Sequence, residues 1–179
     1  MTPTHVTRPK AWKWLVCVLL LLASMLMYMD RQTLPNVSTR ITREFGLNQK
    51  QYGDIEAAFG YAFAAGSFFW GVLSDRWSVR WLYPAVLLCW SMAGFCTGLA
   101  ADYHALIACR VFLGFFEAGH WPCAIKTTQR LLTREERTLG NSVLQSGASF
   151  GAVFTPLVMS LMRSEEHTSE LQSLAYLVC

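Results

Sequence analysis

Charged residues are missing from several long stretches of this 179-residue chain, namely Trp14–Met29, Ala57–Ser74, Leu82–Ala101 and Thr138–Met162. A bilayer core of roughly 30 Å needs about 20 mostly apolar residues in a helix, and several of these windows meet that requirement. A soluble fold would have to bury every one of them. With hydrophobic residues at 53% and charged residues at 15%, too little polar sequence remains to cover such a core. The chain therefore reads as an all-α membrane protein rather than one soluble domain.

The helices can be placed in order. The first covers about 12–37, with Trp12 and Trp14 suited to the interfacial belt and Lys13 able to snorkel. A basic start before an apolar run also fits a secretory signal, but no small-x-small cleavage site follows and further spans do. It is read as a retained helix. The second starts at Asn48, which has capping-box spacing to Gln51, and ends near Leu73. The third covers about 82–101, the fourth 105–131 and the fifth 138–162. With the amino terminus inside, Arg8, Lys10, Lys13, Arg76, Arg80, Lys126, Arg130, Arg134 and Arg137 fall on the inner side, against Arg40, Arg43 and Lys50 outside. The positive-inside bias thus puts the amino terminus in the cytoplasm. The net charge of +3 points to no partner.

The six cysteines include no C-x-x-C pair and no His at metal-ligand spacing. Cys17, Cys89, Cys96, Cys109 and Cys123 lie in apolar stretches, where Cys packs as a small hydrophobe. No metal and no cofactor is expected. Nor is an enzyme, since no nucleophile–base pair or phosphate loop is present.

After Met162 the chain turns polar where a sixth helix should form. Arg163–Ser173 also matches, residue for residue, a translation of a common sequencing-library adapter. Residues 163–179 are accordingly treated as an artefact of assembly and set aside from functional reasoning.

An ionisable group within a span costs several kcal/mol unless paired or hydrated, so it marks a functional site by default. The candidates are Asp30 and Arg31 on the first helix, and Arg110, Glu117 and His120 on the fourth. Arg110 and Glu117 share one helical face, about 10 Å apart along the axis. Gly114 lies between them and lets a neighbouring helix or a substrate come close. His120 is one turn beyond Glu117, and Pro122 can loosen the backbone just after it. A lone carboxylate in a low-dielectric cavity can bind and release a proton, while Arg31 offers a planar fork suited to a carboxylate. Together they are the minimum kit for proton-coupled anion uptake. Other readings stand beside this one. Asp30 and Arg31 could mark only the wet outer end of the first helix. Arg110 is either a substrate contact or a structural clamp on Asp30 or a backbone carbonyl. His120 is either a satisfied interior histidine or a proton relay. Tyr28 is either an interfacial aromatic or a substrate contact.

Gly71-Val-Leu-Ser-Asp75-Arg76-Trp-Ser-Val-Arg80 resembles the G-x-L-a-D-R-x-G-R motif between helices 2 and 3 of the major facilitator superfamily, with Ser78 where the family usually has Gly. In this motif Gly71 would allow close helix approach, and Asp75 and Arg76 a charge network at the cytoplasmic gate. Arg110-Val-Phe-Leu-Gly114 resembles the family's R-x-x-q-G motif on helix 4. Tyr28-Met-Asp30-Arg31-Gln-Thr33 and the stretch from Gly114 through Glu117, Gly119 and Pro122 to Lys126 are similar to the anion:cation symporter family, whose members take up hexuronates, galactonate and other organic anions. The resemblance covers residues 12–162. It implies that Arg31 contacts the substrate carboxylate and that Asp30 and Glu117 take part in proton coupling. Gln145-Ser-Gly-Ala-Ser149 resembles the family's N-S-G-x-S stretch facing the sugar, with Gln in place of Asn. Gly147 and Gly151, four apart, also suit simple helix packing.

The expected organisation is a cytoplasmic tail (1–11), then the amino-terminal part of the major facilitator fold (12–162), comprising five transmembrane helices of an incomplete six-helix half. The expected function is proton-driven secondary transport of a small organic anion, a hexuronate, aldonate or related sugar acid, across a bacterial inner membrane. Organophosphate/phosphate exchange, or a transporter-like sensor that binds without transporting, are the alternatives. The partners implied are the anion, protons, the bilayer and the missing carboxy-terminal half of the same transporter. Nucleic acid is not among them.

Overall fold

The computed structural model describes residues 10–36 and 38–178, with side chains over 11–36, 38–43 and 45–161. Residues 1–9, and with them Arg8 of the expected tail, lie outside the described residues, as do Val37 and Cys179. Every element among the described residues is a helix.

α1 (Lys10–Asn36) carries Cys17, Leu20, Ser24, Met27 and Leu34 as its buried positions, spaced by three or four residues and, from Met27 to Leu34, by seven. That is the stripe by which a helix faces its neighbours. Leu15, Leu19, Leu22 and Leu26 point the other way and are exposed. In water such a surface would be costly; against lipid chains it is the low-energy one. α2 (Ser38–Glu44) is a short helix that the sequence reading did not anticipate, followed by a turn at Gly46 with φ 62°. α3 (Gln49–Arg76) begins with the anticipated capping box. The Asn48 side-chain oxygen accepts from the Gln51 N–H at 2.8 Å, and the Gln51 side chain accepts from the Asn48 N–H at 2.9 Å. The helix runs on past Leu73 through Asp75 and Arg76. α4 (Val79–Gly98) starts earlier than the apolar run suggested. α5 (Tyr103–Glu117) is capped by Asp102, whose carboxylate accepts from the Ala105 N–H at 2.7 Å.

The single fourth helix expected over 105–131 is two helices, α5 and α6 (His120–Leu131), separated by Ala118 and Gly119. The cause is Pro122, acting upstream of itself. Proline has no N–H to give to the carbonyl four residues before it, and its ring crowds that carbonyl; here that residue is Ala118. The Gly119 N–H turns to the Phe116 carbonyl at 3.0 Å, an i→i−3 bond that tightens the turn. This leaves the Phe115 carbonyl without its helical donor. The indole N–H of Trp70 on α3 takes it, at 2.8 Å.

α7 (Glu136–Val178) passes through Met162 as one continuous helix, so the backbone does not mark the boundary that composition suggested there. By length and composition, four helices among the described residues can cross a membrane: Ala11–Asn36, Gln49–Arg76, Val79–Gly98 and Glu136–Leu161. α5 and α6 are each too short for that and together occupy the remaining expected crossing.

α1 lies along α7, and α5 lies between α3 and α4. The α1–α7 approach depends on Gly151, where a Cβ would stand 2.8 Å from that of Tyr28. The α3–α5 approach depends on Gly114, where a Cβ would meet the Phe59 carbonyl at 2.6 Å. Of the two roles open to Gly114, the close neighbour is therefore a helix. At one end of the bundle, where α1 and α7 begin and α3 and α6 finish, Lys13 bonds Glu136 at 3.3 Å and Lys126 pairs with Asp75. We refer to this as the basic end.

Candidate charge site between α1 and α5

Arg31 follows Ser24 by two turns on α1, so it projects from the stripe that faces α5. Its Nε and Nη2 both donate to Oε1 of Glu117, at 3.1 and 2.8 Å. The Glu117 side chain is fully buried, whereas that of Arg31 keeps 32% of its surface exposed. Glu117 Oε2 is buried with no partner. Aromatic faces surround the guanidinium carbon, with Phe63 at 4.4 Å, Phe59 at 5.5 Å and Tyr28 at 5.7 Å from ring centroids. This cradle holds a cation in apolar surroundings through the ring quadrupoles. The carboxylate that the sequence reading treated as alone is thus paired with the arginine that it treated as the anion site.

Asp30 points elsewhere. It accepts a hydrogen bond from the indole N–H of Trp90 at 3.0 Å and lines a cavity of about 380 Å³ that Arg110, Thr33 and Thr97 also line. Arg110 is only 4% exposed. It shares the α5 face of Gly114 and Glu117, as its spacing required. It makes no ion pair among the described residues, and its Nε is buried without a partner. The clamp on Asp30 is therefore not formed. A guanidinium N–H left in this state is available to an anion or to water.

His120 is fully buried, its Nε2 2.9 Å from Ser24 Oγ and its Nδ1 3.0 Å from Tyr83 Oη. Both ring nitrogens are satisfied, as in the interior-histidine reading. Tyr28 lies beside Arg31 within the span, not at an end. Gln145 and Ser149 sit one turn apart on α7; both are exposed and neither bonds to Arg31 or Glu117.

At the basic end, Asp75 takes Lys126 of α6 as its partner rather than Arg76; Arg76 and Arg80 are exposed. Gly71 has nothing within 4 Å of where a Cβ would stand, so the close approach expected of it is not made among the described residues. Ser78 has φ −73°, a conformation open to any residue, so glycine is not required there.

Sequence reasoning did not single out Trp90, Phe59, Phe63, Ser24, Tyr83 or Trp70. Each lies in an uncharged stretch, where an inward aromatic or serine looks the same as a lipid-facing one. Helical phase relative to Arg31 and Glu117 was the one signal that could have separated them.

Residues 20–165 match the family model of the Major Facilitator Superfamily. The chain belongs to this superfamily. Curated relatives include a D-galactonate transporter of Escherichia coli O6:H1, 27% identical over 158 residues that cover 88% of this chain and 37% of the relative. A hexuronate transporter of Escherichia coli strain K12 is 24% identical over 147 residues, covering 82% of this chain and 34% of the relative. The chain thus spans about a third of the length of the curated relatives that it matches. Among solved structures, a bacterial homolog of the human lysosomal transporter Spinster, inward-facing and occupied, superposes with a TM-score of 0.82 at 22% identity. That match covers 93% of this chain and 37% of the other. Superfamily membership and the long apolar helices together make this an integral, multi-pass membrane protein, with part of a superfamily half as its fold. Its relatives are transporters, not enzymes.

Proposed function

We propose that residues 12–162 form the amino-terminal part of a transporter that brings a small organic anion, a sugar acid, across a bacterial inner membrane together with protons. The amino terminus faces the cytoplasm, and residues 163–179 have no part in the function. The observation that carries the reading is the doubly hydrogen-bonded contact of Arg31 with a single oxygen of buried Glu117. A substrate carboxylate and Glu117 compete for one guanidinium. When Glu117 takes a proton, its hold on Arg31 weakens and the fork is free for substrate; the buried, unpartnered Oε2 is a place for that proton to sit. Whatever favours the proton then favours the anion, and by linkage the converse holds. That reciprocity is symport. Asp30, bonded by Trp90 at the mouth of the cavity, is the second proton carrier, and Gln145 and Ser149 face the remaining part of the transporter as sugar contacts. The sugar-acid relatives support the substrate class, and membership of the superfamily supports alternating access.

The test is uptake by the complete transporter, screened with hexuronates, aldonates and dicarboxylates against an imposed pH gradient. Glu117→Gln is expected to abolish proton-driven accumulation while keeping exchange of labelled for unlabelled substrate. Undiminished accumulation by that variant contradicts the assignment.

A further inference from the structure

His120 is the first residue of α6, directly beyond the break that follows Glu117. Its ring lies among Tyr83, Trp90 and Trp121, at centroid distances of 5.8, 6.3 and 5.5 Å. A neutral imidazole has one donor and one acceptor nitrogen, and the hydroxyls of Ser24 and Tyr83 can each take either role, so both bonds form together. One anchors the start of α6 to α1 and the other anchors it to α4.

Ser24 and Arg31 are two turns apart on the same face of α1, and Glu117 and His120 stand on either side of the break. Arg31–Glu117 and Ser24–His120 are therefore two rungs between α1 and the broken helix, one above the break and one below it. A continuous helix would fix the lower rung once the upper was set. Ala118 still bonds Gly114 four residues back, but Gly119 bonds Phe116 three back and Pro122 has no N–H to give to Ala118, so the i→i−4 ladder holds the two halves in register less tightly than in a continuous helix. A tie just below the break is what makes the register definite.

We propose that His120 is a positioning residue for Glu117: by bonding Ser24 and Tyr83 it fixes the start of α6, and with it the aim of the Glu117 carboxylate at Arg31. The inference rests on the transport reading for the role of Glu117. Trp90 extends the same tie, since the indole that edges His120 also donates to Asp30.

The test uses the full-length transporter in membranes and dicyclohexylcarbodiimide, which modifies protonated carboxyl groups in apolar surroundings. Labelling is mapped to the Glu117 peptide by mass spectrometry, with Arg31→Gln as the reference for an unpaired carboxyl. His120→Ala is expected to raise labelling of Glu117 several-fold. His120→Gln, which keeps a donor and an acceptor, is expected to restore the wild-type level, and the KM for substrate exchange should follow the same order. Wild-type labelling in His120→Ala overturns the proposal. So does equal labelling in the alanine and glutamine variants, because the imidazole would then act other than by bridging. Should the alanine variant fail to reach the membrane, Tyr83→Phe removes one of the two ties with little change of shape; a smaller increase supports the proposal and no increase overturns it. Labelling needs no substrate. A wild-type protein that accumulates no sugar acid overturns the transport reading and leaves these outcomes as they stand.

Discussion

Two N–H groups of Arg31 converge on one oxygen of Glu117, and the other oxygen of that carboxylate has none. Lysine in place of Arg31 would keep the charge but present a point rather than a fork. A hydrogen bond to a charged group contributes about 1.5–3 kcal/mol, so losing one corresponds to a roughly ten- to hundredfold change in affinity. Arg31→Lys in the complete transporter is therefore expected to raise the KM for substrate exchange by about that factor; an unchanged KM would remove Arg31 from the binding site. The charged members of this site were legible in the sequence because an ionisable residue in an apolar stretch stands out. Their pairing was not. Arg31 and Glu117 are 86 positions apart, and which arginine meets which carboxylate depends on the rotation of each helix about its own axis. The uncharged members were less legible still. Trp81 is 77% exposed and Trp90 4%, yet both are tryptophans in one apolar run, and only one of them donates to Asp30.

Local chemistry fixed most of the helices. The capping box at Asn48 and the cap at Asp102 depend on spacings of three residues, so their geometry followed directly from sequence. The break between α5 and α6 shows where local reading ends. Pro122 was visible, but its effect falls on Ala118, and the turn is completed by Trp70 from another helix. Replacing that indole by phenyl leaves the Phe115 carbonyl without a partner, at a cost of about 1–3 kcal/mol. Trp70→Phe is thus expected to lower the thermal unfolding temperature in detergent. Because the freed carbonyl lies two residues from Glu117, the variant is also expected to weaken proton-driven accumulation more than exchange. Wild-type stability in Trp70→Phe would show that the bond is replaced at no cost.

Among the described residues, the spans are apolar on their outer faces and enclose the ionisable groups around the break between α5 and α6, while Arg76 and Arg80 at the basic end are exposed. Phe68, Trp81 and Phe95 are each more than two-thirds exposed, while Arg110, Glu117 and His120 are nearly or fully enclosed. In the proposed topology the excess of Lys and Arg puts the basic end on the cytoplasmic side. A protease-cleavable tag on the amino terminus is expected to be cut in inverted vesicles and spared in right-side-out ones; the opposite pattern would reverse the topology. What the sequence determined by itself was the class of fold, most of the helices and the identity of the charged residues. These depend on hydropathy and short-range bonding, which act within a few residues of chain. What only the tertiary structure decided was which charges meet, which aromatics enclose them and where the fourth crossing breaks. Those outcomes depend on how helices are rotated and set against one another, and that is settled by contacts between segments far apart in the chain.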